Sequence, residues 1–205
     1  MKILITGFTP FGNENINPSW EAVKILKAGI NDENIFIKQI PTVFREAAEV
    51  VMEEADKVDA DAIVAVGQAG GRASVTVEFI GINWKKTGIP DNAGNIPKGE
   101  KIKSDGEDGY ISNLPVFDIV DNIKKSGVPA HVSYTAGTYV CNELLYTLMY
   151  NIKGNNKSRL AGFIHLPFIP EQVINKGEDI PSMGIDHMVN ALKITIETIK
   201  EQGGI

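Results

Sequence analysis

The sequence is almost without cysteine: Cys141 is the only one in 205 residues. No intrachain disulfide can form, which excludes a disulfide-stapled secreted scaffold and a cysteine-rich zinc site by counting alone. Histidine is scarce too, with His131, His165 and His187 the only three. Basic charge is in deficit, 20 Lys and Arg against 26 Asp and Glu for a net charge of −6. The few basic residues do not cluster, so a nucleic-acid or anionic-membrane surface is excluded as a partner. Long apolar runs are also missing. The N-terminal segment Met1–Gly7 has one charge, then Ile3-Leu4-Ile5, then a threonine and a glycine, far short of a signal-peptide core or a membrane span. A cytoplasmic protein is expected.

What is present is ordinary globular composition on a length that suits one domain, residues 1–205, with a real core. Short Val- and Ile-rich runs read as strands at Ile3–Thr6, Ile35–Ile40, Ala62–Val66, Val75–Ile82, Ala130–Tyr134 and Ala161–His165. Their near-continuous hydrophobicity calls for a sheet covered on both faces. Helices are expected from Pro18 to Lys27 with Asn17 as cap, from Thr42 to Lys57, from Pro115 to Lys125, from Tyr139 to Asn151 and from Ser182 to Lys200. The alternation predicts a three-layer α/β/α fold with a mixed, mostly parallel sheet. Residues Glu201–Ile205 are expected to fray. One segment breaks the rhythm: Trp84–Tyr110 is rich in Gly, Pro, Asn and charge, and reads as a long loop that serves as a lid, a binding loop or an oligomer arm.

Cys141 falls in the first turn of a helix, after a strand and a small-residue turn. Unpaired N–H groups and the positive end of the helix dipole there are expected to lower a thiol pKa and to hold an oxyanion. A cysteine nucleophile needs a base. His131 opens a strand and His187 lies near the start of the last helix, whereas His165 closes an apolar strand at the sheet edge where ligands of parallel α/β folds bind. His165 is therefore the best base. The imidazole in turn needs a group to fix its tautomer. Glu78 interrupts an apolar β run, where a carboxylate is costly unless paired, and is preferred over Asp61 and Glu143. Two glycine-rich segments, Gly7–Gly12 and Gly67–Arg72, lack phosphate-loop and dinucleotide spacing. Phe8 and Phe11 stand where a phosphate loop would be small and polar, so they read as walls of an apolar pocket.

Taken in order, GFTPFG, GQAGGRASVTVEFIGIN, IPDNAG, AGTYVCNELLY and GFIHLPFIPEQ resemble the pyrrolidone carboxyl peptidase family, also called pyroglutamyl peptidase type I, from residue 3 to about residue 172. The resemblance implies a phosphorylase/hydrolase-like α/β/α fold and a cytosolic, tetrameric thiol exopeptidase that needs neither metal nor cofactor. Its substrates would be peptides carrying N-terminal pyroglutamate. It puts Cys141 on the nucleophile, His165 on the base and Glu78 on the third member, the trio already chosen on chemistry. Phe8, Phe11 and Gln68 fall on the pyroglutamate pocket, to which Tyr139 and Val140 are added. The chain departs from the family's pattern at Phe79 and Gly88, where arginines are usual. Two alternatives accompany this reading: a non-catalytic or altered-specificity binder of lactam-like molecules, and a nucleoside- or phosphate-binding α/β protein.

Overall fold

The computed structural model describes residues 1–154 and 158–202. In chain order the elements are β1 (Ile3–Phe8), α1 (Pro18–Gly29), β2 (Ile35–Ile40), α2 (Glu46–Lys57), β3 (Ala62–Gln68), β4 (Val75–Glu78), β5 (Ile80–Ile82), β6 (Lys85–Lys86), β7 (Lys98–Glu100) and β8 (Gly109–Ile111). They continue with α3 (Val116–Lys125), β9 (Ala130–Ser133), α4 (Val140–Gly154), β10 (Leu160–Leu166), α5 (Pro170–Val173) and α6 (Ile185–Gln202). Six strands form the central sheet in the order β2-β1-β3-β10-β4-β9. All neighbours run parallel except β10 and β4, which are antiparallel. The expected mixed, mostly parallel three-layer fold is what the chain adopts.

Alternation along the strands divides the core. Ile3, Ile5, Val64, Val66, Val75, Val77, Ile164 and Leu166 pack with α1, α3 and α6 on one face. Leu4, Ile63, Ala65, Ala161 and Phe163 pack with α2 and α4 on the other. Side chains in a strand alternate faces with period two, so His165 shares the α2/α4 face with Phe163. Glu78 lies opposite Phe163 and Thr76 opposite His165 in the antiparallel ladder, while Gly67 lies opposite His165 in the parallel one. Strand parity alone therefore brings Glu78, His165 and Gly67 onto the face that α4 covers.

Several boundaries differ from expectation. The run Val75–Ile82 is two strands, because the chain leaves the central sheet after Glu78 and Ile80–Ile82 pairs with β8 instead. Thr42 does not open a helix: its hydroxyl donates to the Thr9 carbonyl at 2.9 Å, and α2 begins only at Glu46. Helix α6 begins at Ile185 rather than Ser182. Trp84–Tyr110 is not a free loop, since β6 pairs with β7 and β8 with β5. Glu201 and Gln202 are helical, and residues 203–205 of the segment expected to fray lie outside the described residues. Among the described residues no helix is long and apolar enough to cross a membrane.

Candidate active site

Helix α4 carries Cys141 as its second residue, so the thiol sits in the first turn, where N–H groups lack intrahelical partners. The start of α4 is pinned by Asn142, which is fully buried. Its Nδ2 donates to the Ile82 and Trp84 carbonyls at 2.9 Å, and its Oδ1 accepts from the Ile82 N–H at 2.9 Å. Below the thiol, Gly67 makes room at the end of β3. A Cβ added there would come within 2.7 Å of the Phe163 ring and 3.2 Å of the Cys141 sulfur.

Beside it, on β10, His165 is buried with its Nδ1 2.7 Å from Oε1 of Glu78, itself fully buried at the end of β4. Burial pushes the Glu78 carboxyl up, but the hydrogen bond and charge of His165, aided by Ser133 and Arg72, outweigh it and hold the group below its ordinary 4.5. An ionised carboxylate only accepts, so Nδ1–H is the donor and Nε2 keeps its lone pair. For His165 the balance goes the other way: burial, with a smaller push from the Arg72 charge, lowers its pKa despite Glu78. The imidazole is neutral near pH 7.

The thiol contradicts one expectation. Burial and the Glu78 charge push the Cys141 pKa up to about 12, against smaller lowering by Arg72 and by the backbone. A raised thiol and a lowered imidazole favour a neutral Cys141 and a neutral His165 over a thiolate–imidazolium pair.

Cys141 and His165 open onto one cavity of about 200 Å³, smaller than the usual small-molecule site and suited to one small ring. Phe8, Phe11 and Tyr139 line it with Gln68, Asn17, Thr42 and Arg72. Phe8 is nearly all core, packed on Phe163 with ring centroids 6.2 Å apart. Phe11 meets Tyr139 at 6.0 Å, and the Tyr139 hydroxyl donates to the Pro90 carbonyl at 3.0 Å. Gln68 accepts through Oε1 from Gln172 Nε2 at 2.9 Å, which turns its own amide N–H groups to other partners. Val140 is not among the lining residues: its side chain is fully buried in the core under α4. Of the rival groups, Asp61 is spent on the Lys2 N–H at 2.7 Å and Glu143 on Lys85 and Arg45. His131 pairs with Ser74 at the surface and His187 is exposed.

Sequence reasoning missed Arg72. Its Nη1 lies 2.7 Å from Oε1 of Glu78 and also meets the Thr76 hydroxyl, and its Nη2 donates to the Thr135 carbonyl at 3.2 Å. The only available signal was a guanidinium in a run of small residues just past a strand's carboxyl end. Arg72 is also the one charged side chain in the lining apart from the titrating Cys141 and His165, and no carboxylate lines the cavity. A free α-ammonium would find no counter-ion there, whereas a lactam brings no charge to neutralise.

A family model described as pyroglutamyl peptidase matches residues 1–202. The chain belongs to the pyroglutamyl peptidase family. It is 49% identical to the pyrrolidone-carboxylate peptidase of Thermosipho africanus over 98% of each chain. The crystal structure of Bacillus amyloliquefaciens pyroglutamyl peptidase I superimposes with a TM-score of 0.92 at 48% identity, covering 97% of this chain and 96% of that one. A mutant pyrrolidone carboxyl peptidase from Pyrococcus furiosus gives 0.91 at 35% identity over 98% and 99% of the two chains. Within this pyroglutamyl peptidase neither Phe79 nor Gly88 is among the residues that line the cavity. Phe79 packs against Phe117 and Tyr134 at 5.7 and 5.5 Å, and Gly88 is exposed in open space.

Proposed function

We propose that this cysteine peptidase removes N-terminal pyroglutamate from peptides with Cys141 as nucleophile, His165 as general base and acid, and Glu78 as the group that orients the imidazole. The observation that carries the assignment is the 2.7 Å contact between His165 Nδ1 and Glu78 Oε1 on the wall of the cavity that also holds Cys141. Full-length similarity to pyrrolidone-carboxylate peptidases supports the substrate class.

The pyroglutamyl ring lies in the cavity against the aromatic wall of Phe8, Phe11 and Tyr139, and the Gln68 amide donates to the lactam carbonyl. As Sγ attacks the scissile carbonyl, its proton passes to Nε2 of His165, and the Glu78 carboxylate stabilises the imidazolium that forms. Proton transfer accompanies attack, because a thiol held at about 12 offers little thiolate beforehand. The tetrahedral oxyanion faces the N–H groups at the start of α4. The imidazolium then protonates the leaving amine as the C–N bond breaks. Water, deprotonated by His165, hydrolyses the thioester and releases pyroglutamate.

The same reading takes the whole chain as one catalytic domain, acting in the cytoplasm as a homotetramer without metal or cofactor. Support for the single domain comes from the family match spanning residues 1–202, and a sequence with one cysteine suits a reducing compartment. The deciding experiment is hydrolysis of a pyroglutamyl aminocoumarin amide beside Cys141→Ala and His165→Ala. Both variants should be inactive, and robust turnover by Cys141→Ala would overturn the assignment.

A further inference from the structure

We propose that Lys85 and Glu143, a buried ion pair outside the cavity, are positioning residues that hold its aromatic wall in place and so set affinity for the pyroglutamyl ring. The proposal rests on the reading of the cavity given above.

Lys85 is 6% and Glu143 3% exposed, and Nζ lies 3.1 Å from Oε1. Burying either charge alone is costly, so each holds the other in place. Glu143 lies two residues beyond Cys141 in the first turn of α4, which ties the pair to the helix that carries the thiol. Lys85 comes from the segment stitched to the same helix start. Next to it the Lys86 N–H donates to the Thr138 carbonyl at 3.1 Å, and the Thr138 hydroxyl donates to the Lys86 carbonyl at 2.7 Å. Glu100 also approaches Lys85, at 3.5 Å, but its carboxylate is largely in solvent and does not replace the buried partner.

The second oxygen of Glu143 does different work. Oε2 accepts from the Arg45 N–H at 2.5 Å. Arg45 has φ 65° and ψ −53°, and the Glu46 N–H closes the turn on the Phe44 carbonyl at 2.8 Å. This is a γ-turn with positive φ, a strained form that persists only where surrounding contacts over-determine it. The turn aims Phe44. Its ring meets Tyr139 edge-on at 5.4 Å and has the Lys85 ammonium 5.8 Å from its centroid, while its N–H donates to Asp91 Oδ2 at 2.9 Å. Tyr139 in turn lines the cavity against Phe11. A continuous path therefore runs from the buried pair through a strained turn and two rings to the substrate wall. Neither charged group reaches the reacting atoms.

The test compares Lys85→Met, Glu143→Gln and the double variant in steady-state hydrolysis of the pyroglutamyl aminocoumarin amide, and in alkylation of the lone thiol by iodoacetamide. Each single variant should raise KM roughly tenfold with kcat changed less than about threefold, and should speed alkylation as the wall loosens. The double variant should recover most of both effects, because it leaves no charge unpaired and a glutamine oxygen still accepts from Arg45. Wild-type KM and alkylation rates in the folded single variants would overturn the proposal, as would a fall in kcat at constant KM or a double variant no better than the singles. Should Glu143→Gln fail to fold, Lys85→Met and the double variant decide. Should the wild-type protein leave the amide intact, the proposed function fails, and the alkylation comparison still decides whether the pair holds the wall.

Discussion

Nη1 of Arg72 lies 2.7 Å from Oε1 of Glu78, the same oxygen that receives the Nδ1–H of His165. Arg72 thus fixes the carboxylate that fixes the imidazole, and it brings a positive charge close to a group that must become positive during the reaction. That charge lowers the His165 pKa. Arg72→Gln should therefore raise it and move the acid limb of the kcat/KM profile to higher pH, by about half a unit or more. A limb that stays in place would remove Arg72 from the electrostatics of the site.

Glu78→Gln tests the opposite influence. Glutamine matches the shape of the carboxylate but can neither stabilise an imidazolium nor dictate the Nδ1–H tautomer. Turnover of the pyroglutamyl amide should fall by roughly 10³–10⁴, while iodoacetamide still reaches Cys141. Full activity in the variant would take Glu78 out of the mechanism.

The sheet, and the three side chains proposed as the trio, are legible in the sequence because their signals are local. Runs such as Ala62–Val66 and Ala161–His165 announce buried strands, and a carboxylate or a histidine inside such a run is conspicuous. The residues that were missed act across the chain. Arg72 matters through a partner on β4, Asn142 through the edge of β5, and Lys85 through a residue 58 positions away. Strands as short and polar as Lys85–Lys86 and Lys98–Glu100 have no periodicity to read, and only their mutual pairing defines them. Thr42 resembles a helix cap by type, yet tertiary contact with Thr9 claims its hydroxyl. The thiol pKa departs from the sequence-based expectation for a related reason: the helix start is visible in sequence, but the burial and the nearby Glu78 charge that outweigh it are not.

A neutral resting pair has a kinetic signature. With the thiol pushed up to about 12, the rate of iodoacetamide alkylation of Cys141 should keep climbing with pH through the alkaline range. A thiolate–imidazolium pair would instead give a plateau from mildly acidic pH upward. Because the chain has one cysteine, mass increase reports on this site alone. A flat profile between about pH 6 and 9 would refute the neutral pair.

Acid stability follows from the same groups. The folded-state pKa of His165 lies below its ordinary 6.5, so the unfolded chain takes up a proton first, and stability present above that value is lost as pH falls through it. Glu78 and Asp91 are held below 4.5 and 3.8, and their contributions are lost at lower pH still. All three act with one sign, so Tm should fall continuously from neutral pH into the acid range. His165→Gln should flatten the first part of that fall. A Tm that held constant or rose on the way from 6.5 to 4.5 would contradict the depressed histidine.

Gly67 offers a test of how closely the site is packed. Its Cα lies where the end of β3 passes under both the Phe163 ring and the Cys141 sulfur, and an alanine methyl would sit 2.7 Å from the ring and 3.2 Å from Sγ. Phe163 cannot swing away freely, since it is fully buried between Phe8 and the His165 ring, whose centroid is 4.7 Å from its own. Relief must come from displacing the sulfur, the imidazole or both. Gly67→Ala should thus cost about 1–3 kcal/mol of stability and lower kcat by roughly 10² or more, because an ångström of misplacement between nucleophile and base is enough. Gly71→Ala provides the contrast: its neighbourhood is open, but its φ of 85° strains any side chain, so it should lose stability with little change in kcat. Thermal melts and single-turnover kinetics on the two variants separate crowding at the thiol from backbone strain beside it, and wild-type kcat in Gly67→Ala would show that the sulfur has more room than the packing around it allows.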